Sequence, residues 1–99
     1  MRVMLESLGQ SLISRNLGSD IREQILGEVG ADATIELDFA GVVHASYSFI
    51  DELVGKLATL HQRGMSNASV LVANASDVVR SHVDRCFAVR GITHAACVA

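Results

Sequence analysis

Sixteen consecutive residues, Asp38 to Leu53 (DFAGVVHASYSFIDEL), constrain the architecture of this chain more than any others. Leading into them, Ile35, Leu37 and Phe39 alternate with Thr34, Glu36 and Asp38. That period of two predicts a strand over 34–39 with one buried face. Further on, Ile50, Leu53, Val54, Leu57 and Leu60 recur with a helical period and predict a helix over 49–62, stopped by Gly64. Between the two, Gly41 breaks the strand, Val42 and Val43 are expected to resume as a short extended piece, and Ser46-Tyr47-Ser48 forms a polar patch. A strand that feeds straight into a helix leaves the first helical amides without intrahelical partners. Ser48 is the expected N-cap, its hydroxyl reaching the amide of Ile50 or Asp51. Asp51 is expected to complete a partial capping box, and Asp51 and Glu52 both suit the positive end of the helix dipole.

The remaining segments repeat this grammar. Val3 and Leu5 share one face of a short strand expected within 2–7, followed by a turn at Gly9-Gln10-Ser11. Leu12 and Ile13 either extend a strand or anchor the next helix. Leu17, Ile21, Ile25 and Val29, widened by Leu26, predict a helix from Ser14 or Arg15 to Glu28. Gly18 weakens that helix by about 1 kcal/mol relative to alanine, and Gly30 stops it. Arg15, Arg22 and Glu23 fall on its expected wet side. Val70 to Ala73 is a compact apolar run, as in a strand covered on both faces. Asn74 and Ala75 then lead to Ser76, an expected cap for a helix over 77–89 whose buried stripe is Val79, Val83, Cys86 and Phe87. Gly91 ends it, and 92–98 reads as a last strand at a sheet edge. The order β-α-β-α-β-α-β predicts a single α/β domain over 1–99, with a mostly parallel or mixed four-stranded sheet and about three helices. In such sheets, sites collect at the C-terminal ends of the strands, where both Ser46–Ser48 and Asn74–Ser76 emerge.

Composition narrows the function. With 49% apolar and 19% charged residues, 99 residues can build a core and are not a disordered chain. The formal net charge of −3 and the lack of a basic block argue against nucleic-acid binding. No apolar run reaches the roughly 20 residues of a membrane span, and no signal region is legible, so a cytoplasmic protein is expected. The two cysteines, Cys86 and Cys97, are then expected as free thiols, with Cys86 in the core. Without a Walker A or GxGxxG loop, no nucleotide or other cofactor is expected.

Three groupings carry possible chemistry. His82 and Cys86 stand at i, i+4, a spacing that can hold a metal if His94 and Cys97 join them; core packing is the preferred reading, so no metal is expected. His44, Ser48 and Asp51 contain the ingredients of an activated nucleophile, but no oxyanion loop accompanies them and no enzyme is expected. Tyr47 is either packed across the helix end or an exposed aromatic anchor for a partner. Ser48 itself is either only a cap or a switchable hydroxyl.

The central stretch resembles the core motif of the STAS domains, the fold of bacterial anti-sigma factor antagonists. Their usual form is a strand ending in Asp, a Ser-Gly-Val-like link, and Asp-Ser-Ser-Gly-Leu opening a helix. Asp38 matches the strand-end acid, Gly41-Val42 the link, Ser48 the serine that the family's partner kinase phosphorylates, and Ile50 and Leu53 the buried helix positions. Ser46, Tyr47 and Phe49 stand where the family has Asp, Ser and Gly, and a helix precedes the central strand where ordinary STAS domains have strand pairs. The likeness is closer to a STAS-like branch with Asp-Phe-x-Gly-Val and Ser-Phe-x-Asp-Glu-Leu, here Asp38, Phe39, Gly41, Val42 and Ser48, Phe49, Asp51, Glu52, Leu53. In architecture it covers about residues 12 to 90. The resemblance implies a non-enzymatic interaction domain of bacterial signalling, a kinase-like ATP-binding partner, and phosphorylation at Ser48. It implies a docking surface of Asp38, Ser46, Tyr47, Ser48, Asp51, Asn74 and Ser76. A phosphate would be welcomed by the helix N-terminus and repelled by Asp51, Glu52 and Asp38. The alternative is a constitutive subunit of a larger complex without a covalent switch. A homodimer through the edge strand is a further expectation.

Overall fold

A computed structural model describes residues 1–9, 11–31, 34–93 and 96–97. Strand β1 spans Arg2–Met4 and is followed by a single 3-10 turn, Leu5–Leu8. Next come β2 (Ser11–Leu12), α1 (Arg15–Glu28), β3 (Thr34–Asp38) and β4 (His44–Ala45). A continuous central helix then runs through α2 (Tyr47–Ile50), a π-helical segment (Asp51–Gly55) and α3 (Lys56–Gln62). β5 (Ser69–Ala73), α4 (Asp77–Arg90) and β6 (Ala96–Cys97) complete the fold.

The strands form two sheets rather than the single four-stranded sheet expected. The main sheet has the order β1-β3-β5-β6 with every pairing parallel, and β2 pairs with β4 as a separate parallel ribbon. Leu12 thus belongs to a strand, and the extended piece after Gly41 settles two residues later than Val42-Val43, at His44–Ala45. Strand order that advances steadily in one direction, joined by right-handed crossovers, places all the helices on one face. Burial agrees: Ile35, Leu37, Val70 and Val72 are sealed, while Thr34, Glu36, Ser69 and Leu71 are half-buried on the other side. β5 is therefore not covered on both faces as its apolar run suggests. β6 stands at the edge predicted for it and falls within 92–98, of which 94, 95 and 98 lie outside the described residues.

Helices α1 and α4 begin where the sequence places good caps. Ser14 accepts from the Leu17 amide at 3.0 Å and Ser76 from the Val79 amide at 3.2 Å. Gly91 takes the left-handed conformation (φ 68°) that closes α4, with the Ile92 amide donating to the Phe87 carbonyl at 2.9 Å. Phe49, Ile50, Leu53, Val54 and Leu57 on the central helix are all sealed in the core between the sheet, α1 and α4. Of the expected wet side of α1, Arg22 is the departure, while Arg15 is exposed as expected. Arg22 leaves only 12% of its side chain exposed and binds Glu52, and Arg15 reaches Asp51 and Glu52, while Glu23 does lie at the surface.

Candidate functional site

The junction between β4 and the central helix is built around Ser46, not Ser48. Ser46 has extended backbone (φ −75°, ψ 160°), and its hydroxyl accepts from the Phe49 amide at 3.1 Å. The same hydroxyl donates to the Ile13 carbonyl at 2.8 Å, and the Ser46 amide donates to the Leu12 carbonyl at 3.0 Å. The ribbon thus fixes where the helix starts, two residues earlier than expected. Ser48 falls in the first turn as a half-exposed residue whose hydroxyl makes no hydrogen bond to another described residue. Phe49 beside it is wholly buried and turns into the core.

Tyr47 packs across the helix end. Its ring meets His82 edge-on, with centroids 6.0 Å apart, and the Arg85 guanidinium lies 5.1 Å from its centroid. An edge-to-face ring pair and a cation over the ring face are both favourable. Beside this stack, Ile13, Val43, Ser46, Ser76, Val78 and His82 line an open groove of about 510 Å³. Ile13, Val43 and Val78 are 61%, 65% and 65% exposed, a concentration of apolar surface at one end of the sheet. The loops after β3 and β5 do form one surface here, as their position at neighbouring strand ends suggested, and Ser46 and Ser76 both contribute to it.

Two acids expected on that surface are committed elsewhere. Asp38 is fully buried at the end of β3, so it presents nothing to a partner. Arg2 donates to it, the Asn74 side chain donates at 3.0 Å and the Ala40 amide at 2.9 Å. These donors, Arg2 first, hold its carboxyl down at about 2. Asn74, exposed and in left-handed backbone (φ 56°), is the strut that ties the loop after β5 to the end of β3. Asp51 is no capping residue either. Arg90 grips it with Nε at 2.7 Å and Nη2 at 3.0 Å, Arg15 donates at 3.1 Å and the Cys86 thiol at 3.4 Å. The Arg90 guanidinium keeps this carboxyl well below the usual range.

Glu52 extends the same network. It accepts from Lys56 at 2.8 Å and Arg22 at 3.0 Å, which hold it at about 2, Lys56 contributing more. Arg22 also donates to the Glu52 carbonyl at 2.6 Å, an extra acceptor that the wide π segment leaves available. Sequence reasoning missed this cluster. Its one legible signal was the adjacent acid pair Asp51-Glu52 beneath a helix rich in arginine.

The other chemistries fare differently. Both oxygens of Asp51 are taken by Arg90, Arg15 and Cys86, so it does not orient His44 toward a serine. Burial, then Asp51, pushes the Cys86 thiol up to about 11, and His82 faces Tyr47. Among the described residues no three His, Cys, Asp or Glu side chains are placed to hold a metal. His94 lies outside the described residues, and Cys97 is described only as part of β6. No described helix is long and apolar enough to cross a membrane.

A parallel sheet with its helices on one face makes this an α/β domain. Residues 18–80 match the STAS-like domain of unknown function (DUF4325) and make up nearly two thirds of the chain, which belongs to this family. No curated protein and no solved structure matches the chain.

Proposed function

We propose that this chain is a non-enzymatic docking domain of bacterial signalling, resembling an anti-sigma factor antagonist. Its partner is a kinase-like ATP-binding regulatory protein, docked on the groove of Ile13, Val43 and Val78, and Ser48 is the switch. The observation that carries the reading is Ser48, a half-buried residue whose hydroxyl has no hydrogen bond to another described residue, two residues from the Ser46 that lines the groove. Ser46, by contrast, has its hydroxyl occupied on both sides and is a poor acceptor for phosphate transfer.

The network beneath the junction sharpens the switch. Asp51 and Glu52 are already neutralised by arginine and lysine, so they neither dominate this surface nor repel a phosphate strongly. A phosphate on Ser48 would bring about −1.5 to −2 charges, tolerated by the first helical turn. A partner burying the neighbouring apolar groove would have to dehydrate that charge, a heavy cost without a paired cation. Phosphorylation therefore expels the partner with no refolding of the domain.

The test is binding to a purified ATP-binding kinase-like protein from the same genome, with phosphopeptide mapping after ATP is added. Ser48→Ala should bind as the parent does, and Ser48→Asp and Val78→Asp should lose binding. Phosphate should appear on Ser48 of the parent. Equal binding by Ser48→Asp and Ser48→Ala would remove the switch. If binding then proves indifferent to ATP, the domain is a constitutive subunit instead.

A further inference from the structure

At the other end of the helical layer, α1 and α3 enclose a second groove of about 540 Å³. Its apolar lining comes from Leu26 on α1, Leu60 on α3 and Met65 just beyond, the last 70% exposed. Its rim is cationic, with Arg22, Lys56, Arg63 and Arg90 against the single acid Glu23. Three of those cations are engaged: Arg22 and Lys56 on Glu52, and Arg90 on Asp51. Arg63 is exposed and has no ion-pair partner among the described residues.

The charge count is unusual for this chain. Four of its eight cations line this groove, against Glu23 on the rim and the Asp51 and Glu52 carboxylates that three of them hold. The local excess is one positive charge, carried by the unpaired Arg63, on a molecule whose formal net charge is −3. An anionic partner is therefore repelled by the molecule as a whole and attracted to this one groove, which fixes where it docks. Lys56 opens α3 and Arg63 caps its C-terminal end, seven residues and about 10.5 Å further along, and Leu60 between them lines the same groove. A ladder of cation, apolar residue and cation suits a short helix carrying acids beside an apolar stripe.

We propose that this groove binds an acidic, amphipathic helical segment of a partner protein. The site is separate from the groove lined by Ser46 and Ser76 and does not depend on the switch, since α4 supplies its first turns to one groove and its last residue to the other. A domain with two such faces can hold one partner constitutively while releasing another.

The probe is a fluorescein-labelled synthetic helix-forming peptide with leucines at i, i+4 and i+7 and glutamates elsewhere, read by fluorescence anisotropy against a matched peptide with lysines for glutamates. The glutamate peptide should bind at least about tenfold more tightly than the lysine peptide and weaken with added salt. Arg63→Glu and Met65→Glu, both at exposed positions that leave the core intact, should each weaken it about tenfold, while Val78→Asp should not change it. Equal affinity for the two peptides, or indifference to both groove variants, overturns the proposal. So does absence of binding accompanied by a change in oligomeric state in Arg63→Glu by light scattering, which would make the groove a contact between copies of this chain. Loss of the Ser48 switch with these peptide results intact would leave this site standing.

Discussion

Replacing Gly55 with alanine adds one methyl group to a helix and should destabilise the protein. Gly55 closes the π segment with ordinary helical backbone (φ −62°, ψ −44°), so alanine meets no conformational objection and intrinsic propensity favours it by about 1 kcal/mol. The objection is spatial. A Cβ at this position falls 2.5 Å from Cys86 Sγ, 2.7 Å from Arg90 Nε and 3.0 Å from Arg90 Cδ. Neither neighbour can yield easily. Cys86 is fully buried, and Arg90 is held by Asp51 through two hydrogen bonds at 2.7 and 3.0 Å. Overpacking a core costs about 1–3 kcal/mol, and losing a hydrogen bond to a charged group about 1.5–3 kcal/mol. Set against the propensity gain, the net loss should be about 1.5–5 kcal/mol, a fall in Tm of at least about 6 °C for a domain of this size. Urea unfolding followed by far-UV circular dichroism measures it. Gly27→Ala is the control, because that glycine also lies in a helix but a Cβ there meets nothing within 4 Å, so it should gain stability. Adding Cys86→Ala to Gly55→Ala should recover part of the loss, giving a non-additive cycle. A Gly55→Ala protein as stable as the parent, with the gain at Gly27 observed, would refute the close-approach argument.

Ser46→Ala should lose about 1–2 kcal/mol in the same assay, because the hydroxyl both caps the helix and bonds the Ile13 carbonyl, while Ser48→Ala should stay within about 0.5 kcal/mol of the parent. The reverse ranking would restore Ser48 as the cap and remove it as a free hydroxyl. On acidification, Asp38 and Glu52, both held at about 2 when folded, stay ionised while the unfolded chain takes up protons from about pH 4 downward. Stability should therefore be complete above that range and fall steadily toward pH 2, with a shallower fall in Asp38→Asn. A pH-independent stability across this window, measured by urea midpoint, would contradict the network.

What the sequence made legible is what depends on neighbours in the chain. The strand at Thr34–Asp38 and the helix caps at Ser14 and Ser76 follow from spacing and residue type within a few positions. Gly18 shows where that reasoning stops. As a local feature it only weakens α1. In the fold, a Cβ there would lie 3.1 Å from both Glu52 Cβ and the Phe49 carbonyl oxygen, so the glycine is what lets α1 approach the central helix. That approach turns Arg22 from an apparent surface residue into the partner of Glu52, and nothing in α1's own periodicity could reveal it.

The same limit explains the exchange of roles between Ser46 and Ser48. Both are competent caps two residues apart, so the choice falls to distant groups: the Ile13 and Leu12 carbonyls on the ribbon, and the seat for Tyr47 between His82 and Arg85. These contacts start the helix at Tyr47, which consumes Ser46 as structure and leaves the Ser48 hydroxyl uncommitted. The acids of the same motif are divided by the same logic. Asp38, Asp51 and Glu52 each satisfy cations drawn from other elements and are removed from any docking surface. A motif that reads as one polar patch thus separates into groups already spent on the architecture and one hydroxyl that is not.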